Sequence, residues 1–172
     1  MTGPAVPCAA DKEQAYRDAI DTIESQTAGE ADEVAVMATV ACELREALPY
    51  ASWVGFYRVV APGLLKVGPY QGGHGCLTIA FDRGVCGAAA TLQATQIVPD
   101  VRMAAHHIAC SSATLSEIVV PLLDGAGETR AVLDLDSDAP AAFDAVDRFR
   151  LEQVCELVAR RIGWLPSPEE AA

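Results

Sequence analysis

The chain has 172 residues, 51% hydrophobic and 21% charged, a length and balance that suit one globular domain with its own core and exclude a disordered chain. Twelve basic residues against 24 acidic ones give a formal net charge of -12, which repels a nucleic-acid backbone or an anionic membrane. No window approaches the roughly eighteen apolar residues a spanning helix needs, and the N-terminus lacks the regions of a signal peptide, so a cytoplasmic protein is expected.

Residues 1–10 are small, Pro-containing and aperiodic, and read as a mobile extension; residues 11–163 read as a single domain, and 164–172, ending in PSPEEAA, as a tail. Helical spacing predicts helices over Asp11–Glu24 and Asp32–Leu48, the second with Val34, Met37, Ala38, Ala41, Leu44 and Leu48 on its apolar stripe. Trp53–Val60 and Leu64–Tyr70 flank Ala61-Pro62-Gly63, which reads as a β-hairpin. Gly72-Gly73-His74-Gly75 is too flexible for an element interior, so it is expected to be a loop delivering Cys76 and a short strand through Phe81.

After Gly84-Val85-Cys86-Gly87 comes an Ala-rich helix to about Leu92, then a short strand from Thr95 to Val98 stopped by Pro99. Asp100–Leu115 has no clean periodicity but carries His106, His107 and Cys110, which makes it the candidate site loop. Ser116–Leu123 and Arg130–Asp136 form a second hairpin about Asp124-Gly125-Ala126-Gly127, and Asp144–Ile162 is a closing helix with Phe149, Val154, Leu157, Val158 and Ile162 on its stripe. This order predicts an α+β domain, an antiparallel sheet with helices packed on it.

Of the six cysteines, Cys42 and Cys155 sit among apolar helical residues and are expected to be core, while Cys8 lies in the N-terminal extension. Cys110 follows two histidines in a loop, where a neighbouring base or imidazolium would favour its thiolate; the bland alternative is a buried inert thiol. His106, His107, Cys110, Cys76 and Cys86 could in principle ligate zinc, but no C-x-x-C occurs and the gaps are long, so no metal is expected. In Leu133-Asp134-Leu135-Asp136, alternation places both aspartates on one strand face, and with Glu117 they form an acidic cluster. Such a face needs a cation, either an amino-acid ammonium or a metal, unless it is simply solvated. Trp53 and Tyr57, four apart on a strand, share a face and could wall a methyl or thioether, although taken alone such pairs are more often plain core.

Seven ordered blocks carry a resemblance: WVGFY (Trp53–Tyr57), GPYQG (Gly68–Gly72), RGVCG (Arg83–Gly87), VPDV about Pro99, HIAC (His107–Cys110), SEIVVPL (Ser116–Leu122) and VLDLDS (Val132–Ser137). Over about a hundred residues the chain resembles the GAF-domain free methionine-(R)-sulfoxide reductases. The resemblance implies a six-stranded antiparallel sheet flanked by helices, around a small pocket for the free amino acid. It implies that Cys110 is the nucleophile, Cys76 the resolving thiol, Cys86 a third motif thiol, and Glu117, Asp134 and Asp136 the site carboxylates. Trp53 and Tyr57 become the aromatic wall, and Ile108 and Ala109 join the substrate contacts. The implied partners are free methionine sulfoxide and thioredoxin or a similar dithiol, with no cofactor; a homodimer is an open option. Two positions depart from the family pattern: His106 stands where a glycine is usual, and Ser111 where an aspartate is. The competing class is a GAF module that binds a small molecule or senses redox state without turnover.

Overall fold

A computed structural model describes residues 5–103 and 113–166. Six strands form one sheet in the order β3-β2-β1-β6-β5-β4, and every neighbouring pair is antiparallel. They are β1 (Trp53–Ala61), β2 (Leu64–Gln71), β3 (Thr78–Ala80), β4 (Gln96–Val98), β5 (Ser116–Leu123) and β6 (Thr129–Ser137). The helices are α1 (Ala9–Gln26), α2 (Glu33–Ala47), α3 (Gly84–Leu92) and α4 (Ala145–Arg161). The expected α+β architecture with six antiparallel strands is what the chain forms.

Period-two alternation along β1, β5 and β6 gives the sheet two apolar faces, and each needs its own cover. Val54, Phe56, Ile118, Val120, Leu122, Ala131, Leu133 and Leu135 are buried in one cluster with residues of α1, α2 and α4. Trp53, Tyr57, Val119 and Val132 are buried in a second cluster with Val85, Cys86, Ala89 and Ala90 of α3. Three helices therefore seal one face, and α3 covers part of the other.

Some helix faces differ from the expected stripes. In α2 the buried residues are Val36, Met37, Val40, Ala41 and Leu44, while Val34 is 48% exposed and Ala38 is exposed too. The i, i+3, i+4 set starting at Val36 or Met37 is the more continuous stripe, so the helix turns that way. In α4 the buried apolar set is Leu151, Val154, Cys155, Val158 and Ala159; Phe149 projects into solvent, where the Arg150 guanidinium lies 5.4 Å from its ring. Cys155 is core as expected, whereas Cys42 is only half-buried.

The boundaries shift slightly as well. Helix α1 begins at Ala9, inside residues 1–10, with Cys8 at the N-cap position and the first helical bond running from the Lys12 N–H to the Cys8 carbonyl at 3.0 Å. At the other end Trp164 packs partly buried against the core, with Arg130 5.5 Å from its ring, so ordered packing continues past residue 163. No helix among the described residues is long and apolar enough to cross a membrane.

Candidate active site

The central strand register assembles the acidic cluster. On β1 and β6, Trp53 lies opposite Asp136, Gly55 opposite Asp134 and Tyr57 opposite Val132; on β5 and β6, Glu117 lies opposite Asp136 and Val119 opposite Asp134. Cross-strand partners share a face, so Trp53, Tyr57, Glu117, Asp134 and Asp136 all project toward the α3 side. The face is not solvated: Glu117 is 6% and Asp134 5% exposed, and Asp136 is half-buried.

Helix α3 lowers Cys86 onto this cluster. It can do so because residue 87 is glycine: a Cβ there would sit 2.5 Å from the Ala80 carbonyl oxygen and 2.8 Å from that of Phe81. One ligand atom each from Cys86, Glu117 and Asp134 then lie within 4.8 Å of one another, all three residues buried. The Cys86 thiol faces the Asp134 carboxyl across this gap. Burial first, and then the nearby Asp134 and Glu117, push the Cys86 thiol well above its ordinary pKa. It is a protonated thiol near neutral pH, not a thiolate. Asp134 is also raised well above the usual carboxylate range, by burial first and then by Asp136 and Glu117. Its Oδ1 is buried without a hydrogen-bond partner. A buried orphan acceptor costs on the order of 1–3 kcal/mol, which a bound donor would recover.

The aromatic wall is a stack of three rings. Trp53 lies between Tyr57 and Tyr70, with ring centroids 5.7 and 5.4 Å away. Gly55 makes room for it, since a Cβ there would run into the Trp53 ring at 2.5 Å and also into the Tyr70 Cβ. Tyr70, the third ring, belongs to the GPYQG block, and the β1–β2 hairpin register places it opposite Gly55. The wall also holds the cysteine loop: the Trp53 indole Nε1 donates to the Gly73 carbonyl at 3.1 Å, a Cβ on Gly75 would sit 2.9 Å from the Tyr57 hydroxyl, and Cys76 packs against the cluster that contains both rings. Burial, then Asp134 and Cys86, raise the Tyr57 pKa, so the phenol remains protonated.

Cys76 is therefore brought beside the aromatic wall, half-buried and in a disulfide, while Cys8, Cys42, Cys86 and Cys155 are free. His106, His107, Ile108, Ala109, Cys110 and Ser111 lie outside the described residues. The chain on either side of them is fixed at the acidic end of the site. A 3-10 turn at Val101–Met103 begins with the Val101 N–H donating to the Leu115 carbonyl at 3.0 Å, and Val98 pairs with Glu117.

These positions predict opposite effects on stability and activity. Asp134 holds its proton above the ordinary carboxylate value when folded, so in that window the native state binds more protons than the unfolded one. Stability from this group is present at low pH and is lost as pH rises from the ordinary value toward the raised one, by about 1.4 kcal/mol per pH unit for one full proton difference. Asp134→Asn cannot ionise, so its melting temperature should gain on the wild type as pH rises, while turnover falls by roughly tenfold or more. Thermal melts from pH 4 to 8 with parallel rate measurements check both; a gap that shrinks with pH would contradict the proton assignment. Glu117→Gln and Asp136→Asn should remain folded and also lose activity.

A family model described as the GAF domain matches residues 30–162. The free methionine-R-sulfoxide reductase of Escherichia coli is 35% identical over 144 residues, covering 84% of this chain and 86% of that protein. The protein of the same name from Saccharomyces cerevisiae is 45% identical over 109 residues, covering 62% and 61%. Among solved structures, free methionine-R-sulfoxide reductase from Neisseria meningitidis in complex with its substrate superposes with a TM-score of 0.85 at 39% identity, covering 95% of each chain. The chain belongs to the GAF domain family and, within it, to the free methionine-R-sulfoxide reductases.

Proposed function

We propose that this protein reduces free methionine-(R)-sulfoxide to methionine. The observation that carries the reading is the buried acidic floor, with an orphaned carboxylate oxygen on Asp134, set beside a three-ring aromatic wall and next to Cys76. A free amino acid fits such a surface at both ends: its ammonium pairs with the carboxylates, and its methyl sulfoxide lies against indole and phenol rings. A peptide lacks the ammonium.

Cys110 is the nucleophile in this reading. Its thiolate attacks the sulfoxide sulfur while a carboxyl of the floor protonates the oxygen; Asp134, held neutral by burial, can supply that proton, which leaves the ammonium to the neighbouring carboxylates Glu117 and Asp136. The S–O bond to the substrate breaks, oxygen passes to Cys110 as a sulfenic acid, and methionine leaves. The Cys76 thiolate then attacks the Cys110 sulfur, water departs, and a disulfide forms. Two electrons and two protons from an external dithiol, thioredoxin or a similar protein, restore both thiols. That Cys76 is oxidised while Cys86 is a free, protonated thiol favours Cys76 as the resolver.

The test is substrate selectivity. Charge-assisted hydrogen bonds to the ammonium contribute about 1.5–3 kcal/mol each, so N-acetylation should lower kcat/KM by roughly a hundredfold. Turnover is followed by NADPH oxidation through thioredoxin reductase and thioredoxin. Equal rates on free and acetylated substrate, or on both sulfur epimers, would sink the proposal, and binding without turnover would return the protein to the sensor class.

A further inference from the structure

The orphaned oxygen of Asp134 points to a second ligand chemistry at the same floor. We propose that Cys86, Glu117 and Asp134 form a binding site for a thiophilic divalent metal ion such as zinc, and that the ion blocks the site. Metal binding here stands on geometry; only the blocking rests on the reductase reading. A thiol and two carboxylates come within 4.8 Å of one another in a buried setting, and the unpartnered Asp134 Oδ1 is 95% withdrawn from solvent by residue.

A tetrahedral ion bonded at about 2.3 Å to sulfur and 2.0–2.2 Å to oxygen holds its ligand atoms about 3.5 Å apart. The present spread closes to that with about 1 Å of side-chain adjustment. Asp136, on the same strand face and opposite Glu117, adds negative charge and leaves a fourth position to itself or to water. Sulfur sets the selectivity: a thiolate ligand favours zinc, cobalt or cadmium over magnesium, which prefers an all-oxygen shell.

Binding involves no redox change. The Cys86 S–H bond breaks, a sulfur–metal bond forms, and the proton goes to solvent, along with any proton on Asp134. The close approach of Cys86 and Asp134 is exchanged for two metal bonds. An ion seated there occupies the carboxylates that the substrate ammonium would use, so the two ligands exclude each other. Among the described thiols Cys86 is the one that faces the acidic cluster, which gives it a role independent of resolving a sulfenic acid.

The experiment titrates Co2+ into the disulfide form, the state of Cys76 in the structure, in a Cys8→Ser/Cys42→Ser background that removes the more accessible free thiols. One ion per chain should give the thiolate-to-cobalt charge-transfer band and visible bands of tetrahedral intensity. Zn2+ should displace it and Mg2+ should not. Cys86→Ser should lack the charge-transfer band, and Glu117→Gln and Asp134→Asn should weaken binding by roughly tenfold or more. A missing band, or one that persists in Cys86→Ser, overturns the site. If that variant fails to fold, X-ray absorption on the zinc-loaded background protein decides: one sulfur in the shell is expected, and an all-oxygen and nitrogen shell overturns it. Methionine sulfoxide should lower the cobalt band in the non-turning disulfide form; a band indifferent to it overturns the blocking while leaving the metal site in place.

Discussion

Cys110→Ser should form no methionine even in a single turnover, a loss on the order of a thousandfold or more, because a hydroxyl near neutral pH is a far poorer nucleophile than a thiolate. Cys76→Ser should behave differently. It should release up to one methionine per chain and leave a trappable sulfenic acid on Cys110, yet recycle poorly with thioredoxin, since no Cys76 to Cys110 disulfide can form. Cys86 is the thiol that could substitute, but it sits on the buried face of α3 beside Asp134, held protonated by burial and by its acidic neighbours. The Cys76→Ser/Cys86→Ser double variant should therefore match Cys76→Ser. Rapid-quench methionine analysis with sulfenic-acid trapping separates the cases. A burst that survives Cys110→Ser would remove it as nucleophile, and full thioredoxin-linked turnover in the double variant would remove Cys76 as resolver.

The largest effect on stability should come from the opposite side of the sheet. Lys12 is 1% exposed and Asp147 0%, and their charged groups meet at 2.5 Å. The Lys12 ammonium also donates to the Ala142 carbonyl at 2.7 Å and to Asp144 at 2.9 Å. Asp147 accepts from the Tyr16 hydroxyl at 2.9 Å, the Tyr50 hydroxyl at 2.5 Å and the Asp144 N–H at 2.8 Å. The network joins α1, α4 and the segment leading into β1, and its last bond is half of the α4 capping box. Asp147→Ala would strand a buried ammonium with fewer partners and orphan two phenols, so it should cost about 3–5 kcal/mol. Replacing the pair together, Lys12→Met/Asp147→Leu, should recover part of that loss, because no charge is left buried. Urea unfolding of the single and double variants checks this, and a single-variant loss below about 1 kcal/mol would mean water compensates the pair. Neither residue is on the α3 face, so the folded fraction of each variant should keep its turnover.

Much of the site was legible before folding. The alternation in Leu133-Asp134-Leu135-Asp136 fixes a shared face whatever the partners are, because side chains alternate in any strand, and the same rule pairs Trp53 with Tyr57. Glycine-rich runs marked where the chain turns, and the hairpins about Pro62-Gly63 and Asp124–Gly127 formed as their residues imply. What pattern alone could not give was which elements meet. Tyr70 joins the aromatic stack through cross-strand register, Val34 and Phe149 are exposed because each helix has a better apolar stripe nearby, and Lys12 is buried by a partner 135 residues away. The protonation of Asp134 and Cys86 likewise depends on burial under α3 and on charges from other strands, which local sequence does not contain. Local chemistry and periodicity thus determined the strands, the turns and the candidate residues. Tertiary packing decided which of them share one buried cluster, because contact and desolvation are properties of the assembled sheet and its helices.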